Sequence, residues 1–551
     1  MDDPPDHTPV APAGPDQGRF GMRPDWRFLL PSGPRRHLLV VGEAGRRWQF
    51  LVEDEWVERL TTTVDDAARS VVEPDIVVVD GDVDPAPALA VAGPHALAVL
   101  ALGRRPTERA RRVGALTGAG FAIRARYLAT PNLAQATRLV PIDRPDALRW
   151  LLAPPPPVAG VDTGLRRRLQ SGAVEAGAGL LGLGARRAEA RLSSLFGAGA
   201  EGLVVAERSS GSTNTAPPIL MTSGHDEGSR AVVVDPPGDG RTGRVIKIAP
   251  RPRYNRNVEA EVDVIAATRN RLGPDLAEVL PSILDTVEVD GLIASVEGYG
   301  GRWTVADLCH RVPAARAPML ERLLALADRL AAATVDAEAG PWTADRFDQL
   351  IGNRFDQLAD LAPRSPSLTA LRVQLAERSR SLEGVELPMV QRHYDLGPWN
   401  VVVSDDGTAL TIIDWELAPP RVLGAAGPAG ADQIYAVKYW LHAAMATESM
   451  TDELSAFEFL DPARGTGSRN TDQAPDPRPM AAAALRRSLT RLAVDPRFVP
   501  LLTVYTWLEK ALYTAARRAG SAGSTGPDPG PALAYLTVLA RHRTELLDFW
   551  S

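Results

Sequence analysis

A single cysteine, Cys309, stands in a chain of 551 residues. That scarcity excludes an internal disulfide framework and any cysteine-rich zinc or iron–sulfur centre. Positive charge is not in excess: 61 Lys and Arg against 68 Asp and Glu leave a formal net charge of −7. With no basic block, the chain is a poor candidate for bulk binding to nucleic acid or to an anionic membrane. Long unbroken apolar runs are missing too. The uncharged stretch Pro85 to Gly103 is interrupted by Pro87, Gly93 and Pro94, which break it as a membrane helix. The opening residues, MDDPPDHTPVAPAGPDQG, are acidic and Pro-rich, the opposite of a signal peptide. The expectation is a soluble, cytoplasmic protein with neither nucleic acid nor membrane among its partners.

What is present is length, glycine and proline. At about 150 residues per domain, the chain has room for roughly 3 to 4 domains. The 47 Gly and 47 Pro predict many turns and linkers. Residues 1–19 read as a disordered tail. Over 20–152, short apolar runs (Leu38–Val41, Ile76–Val79, Leu97–Leu102) alternate with Ala/Arg-rich helical stretches, which predicts a buried parallel sheet and a Rossmann-like α/β domain. Pro154 to Pro157 form a stiff spacer, so 153–200 reads as a Pro-rich linker followed by a helix at 164–196. Strands are expected at Pro218–Ser223, Arg230–Asp235, Arg244–Ile248, Thr286–Val289 and Leu292–Val296, with a helix at Val258–Leu272. Beyond about 312 the pattern is mostly helical, interrupted by a strand pair at Asn400–Val403 and Leu410–Asp414.

That strand pair belongs to the most informative stretch. It begins at His393-Tyr394-Asp395-Leu396-Gly397-Pro398-Trp399-Asn400 and ends at Ile412-Ile413-Asp414-Trp415-Glu416. The pattern is H-x-D-x-x-x-x-N, a strand, a turn at Asp405-Asp406-Gly407, a second strand and an aspartate. Such a loop holds the Asp395 carboxylate where an attacking hydroxyl would sit. Five residues on, the Asn400 amide oxygen is a metal ligand, and the returning strand brings Asp414 beside it as a second, a hard oxygen-only arrangement suited to Mg²⁺.

The segment resembles the catalytic loop and metal-binding aspartate of the aminoglycoside phosphotransferase and choline kinase group, within the protein-kinase-like fold. Tyr394 departs from the Gly or polar residue common in that group, but Asp395 and Asn400 stay in register. The resemblance implies a bilobal domain, with a small lobe at 201–300 and a mostly helical large lobe at 301–551. It implies ATP (or GTP) as co-substrate with Mg²⁺, and a small-molecule or sugar hydroxyl as acceptor. It makes Asp395 the catalytic carboxylate and Asn400 and Asp414 the metal ligands. Upstream, it implies a phosphate-covering loop with Gly224 and Gly228, and a strand lysine, Lys247. A glutamate on the next helix should partner that lysine, with Glu261 favoured over Glu259. A hinge at Ser295, Val296 and Gly298 should meet the adenine edge. Acidic residues Glu448, Asp452, Glu453, Glu458 and Asp461 would suit a cationic acceptor, or form a solvated face.

In the first domain, Pro74-Asp75-Ile76-Val77-Val78-Val79-Asp80-Gly81 resembles the "D-x-V-V" strand of class I methyltransferases, and Gly120-Phe121 their late "G-F" element. Gly42 and Gly45 do not complete the G-x-G fingerprint, so the domain reads as a degenerate relative. Two other functions stand beside the phosphotransferase: a kinase-like binding or regulatory protein without turnover, and a methyltransferase with an appended kinase domain.

Overall fold

An uninterrupted apolar run is stable as a strand only where both faces of its sheet are covered. In the computed structural model the three runs become such strands. β1 (His37–Val41), β2 (Arg59–Thr61), β3 (Ile76–Val79) and β4 (Leu97–Leu102) lie parallel in the order β2-β1-β3-β4. Helices Phe50–Glu53, Val64–Ala68 and Ala86–Ala90 lie in the connections, and Pro106–Gly118 follows β4. Successive residues alternate between two cores. Leu38, Val40, Ile76, Val78, Val99 and Ala101 enter one, and Leu39, Val77, Val79, Ala98, Leu100 and Leu102 the other.

The structure describes residues 25–31, 35–42, 48–102, 105–130, 137–161, 202–208, 216–222, 229–238, 241–336, 340–359, 366–415, 427–445, 477–519, 536–537 and 539–540. The expected tail at 1–19, the helix at 164–196, the loop with Gly224 and Gly228, Glu416 and the acidic stretch Glu448–Asp461 lie outside the described residues. So do most of the expected loop at 464–479 and helix at 530–548. Among the described residues, no helix is long and apolar enough to cross a membrane.

The sheet does not stop at β4. β5 (Ala122–Thr130), β6 (Arg138–Pro141), β7 (Gly202–Glu207), β8 (Ile219–Thr222), β9 (Ala231–Asp235), β10 (Arg244–Ile248), β11 (Ile283–Val289) and β12 (Leu292–Gly298) extend it to twelve strands. β7 is antiparallel to both its neighbours, β4 and β5, and β8 pairs with β6. Strands from 20–152 and from 201–300, which the sequence reading assigns to different domains, therefore share one sheet. Pairing of β8 with β6 covers backbone groups that an exposed edge would leave open.

Gly42, just past β1, has a close-approach role. Its φ is +117°, and a Cβ there would lie 2.1 Å from the Asp80 carbonyl oxygen. Gly42→Ala meets both a backbone strain and a backbone clash. We expect a loss of at least about 2 kcal/mol in stability, measured by denaturant unfolding. An unchanged midpoint would contradict this packing.

Two compact units divide the chain. The first, Met1–Ala153, Gln170–Arg256 and Leu284–Tyr299, contains the twelve-stranded sheet; the second is Pro154–Leu169, Asn257–Ile283 and Gly300–Ser551. In the second, helix Arg316–Ala333 buries Met319, Leu320, Leu323, Leu324, Ala327, Leu330 and Ala331, the three-and-four spacing of one helical face. Thr304 caps helix Val305–Arg311 by accepting from the Asp307 N–H at 3.0 Å. Helices Ala431–Met445, Arg478–Arg491 and Val499–Ala519 complete the same core. Two small sheets flank the 391–400 loop: β13 (Trp303–Thr304), β15 (Val401–Val403) and β16 (Leu410–Ile412) form one, and β14 (Met389–Val390) with β17 (Gly427–Pro428) the other. At the β15–β16 turn, Ser404 and Thr408 donate to the Asp406 carboxylate, which holds that exposed carboxyl down to about 2.

Candidate active site

The loop carrying the motif is tied down from beneath by a buried ion network. Arg392 donates from Nε to Asp432 Oδ1 at 2.9 Å and from Nη1 to Glu509 Oε2 at 2.5 Å. Arg354 reaches Glu509 Oε1 at 3.0 Å. The other Asp432 oxygen accepts the His393 backbone N–H at 2.7 Å. His393 is fully buried. Its Nε2–H donates to the Ile413 carbonyl at 3.0 Å, and its ring meets the edge of Trp415 at 4.7 Å. Burial lowers its pKa below the usual histidine value against the opposing pull of Asp432, Asp395 and Asp414, so the imidazole is a neutral clamp between loop and returning strand.

Two non-glycine residues of this segment are held in left-handed backbone: Tyr394 at φ +65° and Asp414 at φ +69°. Such conformations cost of order 1–3 kcal/mol each and persist only where the surroundings enforce them. The Arg392 guanidinium lies 4.4 Å from the Tyr394 ring centre, a cation–π contact that fixes the first of them.

Asp395 is met by three donors. Asn400 Nδ2 donates to its Oδ2 at 3.0 Å, and also to its backbone oxygen at 2.9 Å. The Tyr435 hydroxyl donates to its Oδ1, and Lys510 Nζ lies 3.1 Å from the same atom and 3.0 Å from the Tyr435 oxygen. Burial, reinforced by Tyr439 and Asp395, raises the Tyr435 pKa well above the usual tyrosine range, so it stays a donor. The strand pair returns as its register requires: Val401 faces Ile412, and the Ile413 N–H donates to the Asn400 carbonyl at 2.9 Å. Asp414 is the next residue. Among the described residues none donates a hydrogen bond to its carboxylate. One position further, the Trp415 N–H donates to Glu261 Oε1 at 3.1 Å. Glu261 is buried and Glu259 exposed.

Lys247 is buried on β10 and finds a carboxylate on the neighbouring strand: its Nζ is 3.2 Å from Glu297 Oε1. Ser295 Oγ donates to the same oxygen at 3.2 Å. Register explains the grouping, because Lys247 faces Ser295 and Val245 faces Glu297, placing all three polar side chains on one sheet face. Ser295, Val296 and Gly298 lie inside β12, with β10 on one side and β11 on the other, rather than in a connector beyond the strand. Gly224 and Gly228 are outside the described residues.

Three partners here escape the motif reading: Glu297, Tyr435 and Lys510. Lys510 had a legible signal. Glu509 and Lys510 are the only charged residues between Val499 and Ala516, and charges in an otherwise apolar helix need partners.

The donor set suits Mg²⁺. The Asn400 nitrogen is spent on Asp395, which leaves the amide oxygen as the remaining ligand atom. With Asp414 that makes two protein oxygens. Among the described residues no group of three or more His, Cys, Asp or Glu is placed to hold a metal. Mg²⁺ takes one or two protein ligands and fills its shell with water and phosphate, so two suffice.

No curated protein matches the chain. Solved structures do. The chain is similar to an aminoglycoside-3'-phosphotransferase of type VIII, at 16% identity over 53% of this chain and 93% of that one, with a TM-score of 0.29. It is similar to an ethanolamine kinase of Plasmodium vivax, at 12% identity over 60% of this chain and 83% of that one, with a TM-score of 0.33. A third likeness is to the aminoglycoside phosphotransferase APH(3'')-Id of Streptomyces rimosus, in complex with ADP and streptomycin, at 15% identity over 50% and 89% of the two chains and a TM-score of 0.29. Residues 225–423, which include Lys247, Glu261, Asp395, Asn400 and Asp414, match the model of the APH family, described as the phosphotransferase enzyme family.

Proposed function

We propose that the protein transfers the γ-phosphoryl group of ATP or GTP to a hydroxyl of a small molecule or sugar, with Mg²⁺. The observation that carries this reading is the Asp395–Asn400–Asp414 arrangement, closed by the Asn400 amide and the Ile413–Asn400 backbone bond. A carboxylate offers about four acceptor positions. Asn400, Tyr435 and Lys510 take three at Asp395, which leaves room for an acceptor hydroxyl. Asp395 orients that hydroxyl and takes its proton as it attacks. The Asn400 amide oxygen and the Asp414 carboxylate hold Mg²⁺, which when bound neutralises phosphate charge. Lys247 contacts the phosphates, kept in place by Glu297. The Rossmann-like reading of 20–152 is supported by the parallel order β2-β1-β3-β4 with helices in the connections.

The test is nucleotide binding by calorimetry, with and without Mg²⁺. Lys247→Ala removes a phosphate contact and Asp414→Ala a metal ligand. Each should weaken Mg-nucleotide affinity by at least about 10-fold, the worth of one charge-assisted contact. Unchanged affinity in both variants would overturn the assignment.

A further inference from the structure

Two of the donors that meet Asp395 also line a cavity whose chemistry is not that of a polycation site. Tyr435 and Lys510, which both bond Asp395 Oδ1, also line a cavity of about 390 Å³, the size of a small-molecule pocket. Helix Val499–Ala519 presents Thr506, Glu509, Lys510 and Tyr513 to it, at the spacing of one helical face. We infer that this cavity receives the hydroxyl acceptor, and that the acceptor is a neutral polyhydroxylated ring, a sugar or cyclitol. The inference rests on the phosphotransferase reading above.

Charge is the first argument. Each carboxylate around the described wall is already matched. Glu509 is held by Arg354 and Arg392, Asp432 by Arg392, and Asp395 by Lys510. Among the described residues, the charged ones that line the cavity itself are Arg354, Glu509 and Lys510, two cations and one anion. An amine-rich ligand would meet the Lys510 ammonium beside Asp395 and, among the described lining residues, find no unmatched carboxylate in return. The second argument is the surface offered. Tyr394, Tyr435 and Tyr513 give aromatic walls, and Lys510 lies 5.5 and 5.4 Å from the Tyr435 and Tyr513 ring centres. Gln349, Asn353 and Gln357 add amides, each with a donor and an acceptor. Flat apolar faces edged by neutral amides suit a ring with hydroxyls around its rim. The position is the third: two of the residues that line the cavity, Tyr435 and Lys510, are themselves bonded to Asp395 Oδ1, so the cavity is one side chain removed from the carboxylate proposed to take the proton.

The test is phosphoryl transfer from Mg-ATP and Mg-GTP to three panels of ring compounds of matched size: neutral sugars and cyclitols, polyamino sugars, and sugar acids. Neutral rings should be preferred over polyamino sugars on the order of 100-fold in kcat/KM, the scale of a like-charge mismatch. Tyr513→Ala and Asn353→Ala should raise KM for a neutral acceptor by about 2–10-fold, with kcat and nucleotide affinity near those of the unchanged protein. Preference for polyamino sugars or sugar acids, or no acceleration by any neutral ring, would overturn the inference. So would an unchanged KM in both variants. Failure of the phosphotransferase reading looks different: nucleotide affinity would then be indifferent to Mg²⁺ and to Asp414→Ala.

Discussion

Asp395→Asn should lower turnover by about 10²–10⁴-fold while Mg-nucleotide affinity stays close to that of the unchanged protein. That range corresponds to roughly 2.7–5.4 kcal/mol of barrier. Phosphoryl transfer depends mainly on positioning and charge neutralisation, so the nucleotide does not need the base in order to bind. The structure adds a detail to the experiment. Asp395 accepts at Oδ2 from Asn400 and at Oδ1 from Tyr435 and Lys510. An asparagine has one oxygen and must leave one side facing a donor, at a local cost of about 1–3 kcal/mol. Turnover should therefore be compared at equal folded fraction, checked by an unfolding curve. Asp414→Asn should damage affinity and turnover together. Wild-type turnover in Asp395→Asn would remove Asp395 from the chemistry.

The second large effect is on stability. Arg392→Met keeps much of the side chain's volume and deletes its charge. It strips Asp432 of a guanidinium partner and leaves Glu509 with Arg354 alone. Breaking a buried pair from one side costs about 3–5 kcal/mol, because the remaining charge stays desolvated. The loss should also reach the catalytic loop, since Asp432 holds the His393 N–H. We expect a lower denaturant midpoint and a turnover loss in the folded variant, with Arg392→Lys falling between the two. A loss below about 1 kcal/mol, the scale of an exposed pair, would show that the network is not a buried anchor.

Local pattern and long-range pairing were not equally readable from the sequence. The apolar runs at Leu38–Val41, Ile76–Val79 and Leu97–Leu102 became strands within a residue of their expected ends, because continuous hydrophobicity is itself the condition for a two-faced strand. Arg244–Ile248 was legible from its β-branched Val245, Ile246 and Ile248, although Arg244 and Lys247 interrupt the apolar run. The pairing of β6 with β8, and the insertion of β7 between β4 and β5, join segments far apart in sequence. Nothing local encodes that, so the sharing of one sheet by 20–152 and 201–300 was invisible.

The site divides in the same way. The spacing from His393 to Asn400 and on to Asp414 is short enough for loop and hairpin geometry to fix. Burial of Glu261 against exposure of Glu259 follows from the face of one helix. Tyr435 and Lys510 reach Asp395 from 40 and 115 residues away, so only tertiary packing reveals them. Glu297 is intermediate. It stood in the stretch read as a hinge, and only strand register shows it on the same sheet face as the lysine, two residues along from the lysine's direct partner Ser295.

The central claim is Mg²⁺-dependent phosphoryl transfer to a hydroxyl. Its most direct test is phosphorus NMR of the full chain with Mg-ATP or Mg-GTP and a pool of hydroxyl-bearing metabolites and sugars. The account predicts a phosphomonoester signal that grows in step with nucleoside diphosphate, vanishes without Mg²⁺ and is lost in Asp414→Asn. A folded protein that leaves the nucleotide unchanged, or forms the diphosphate with inorganic phosphate alone, would contradict it.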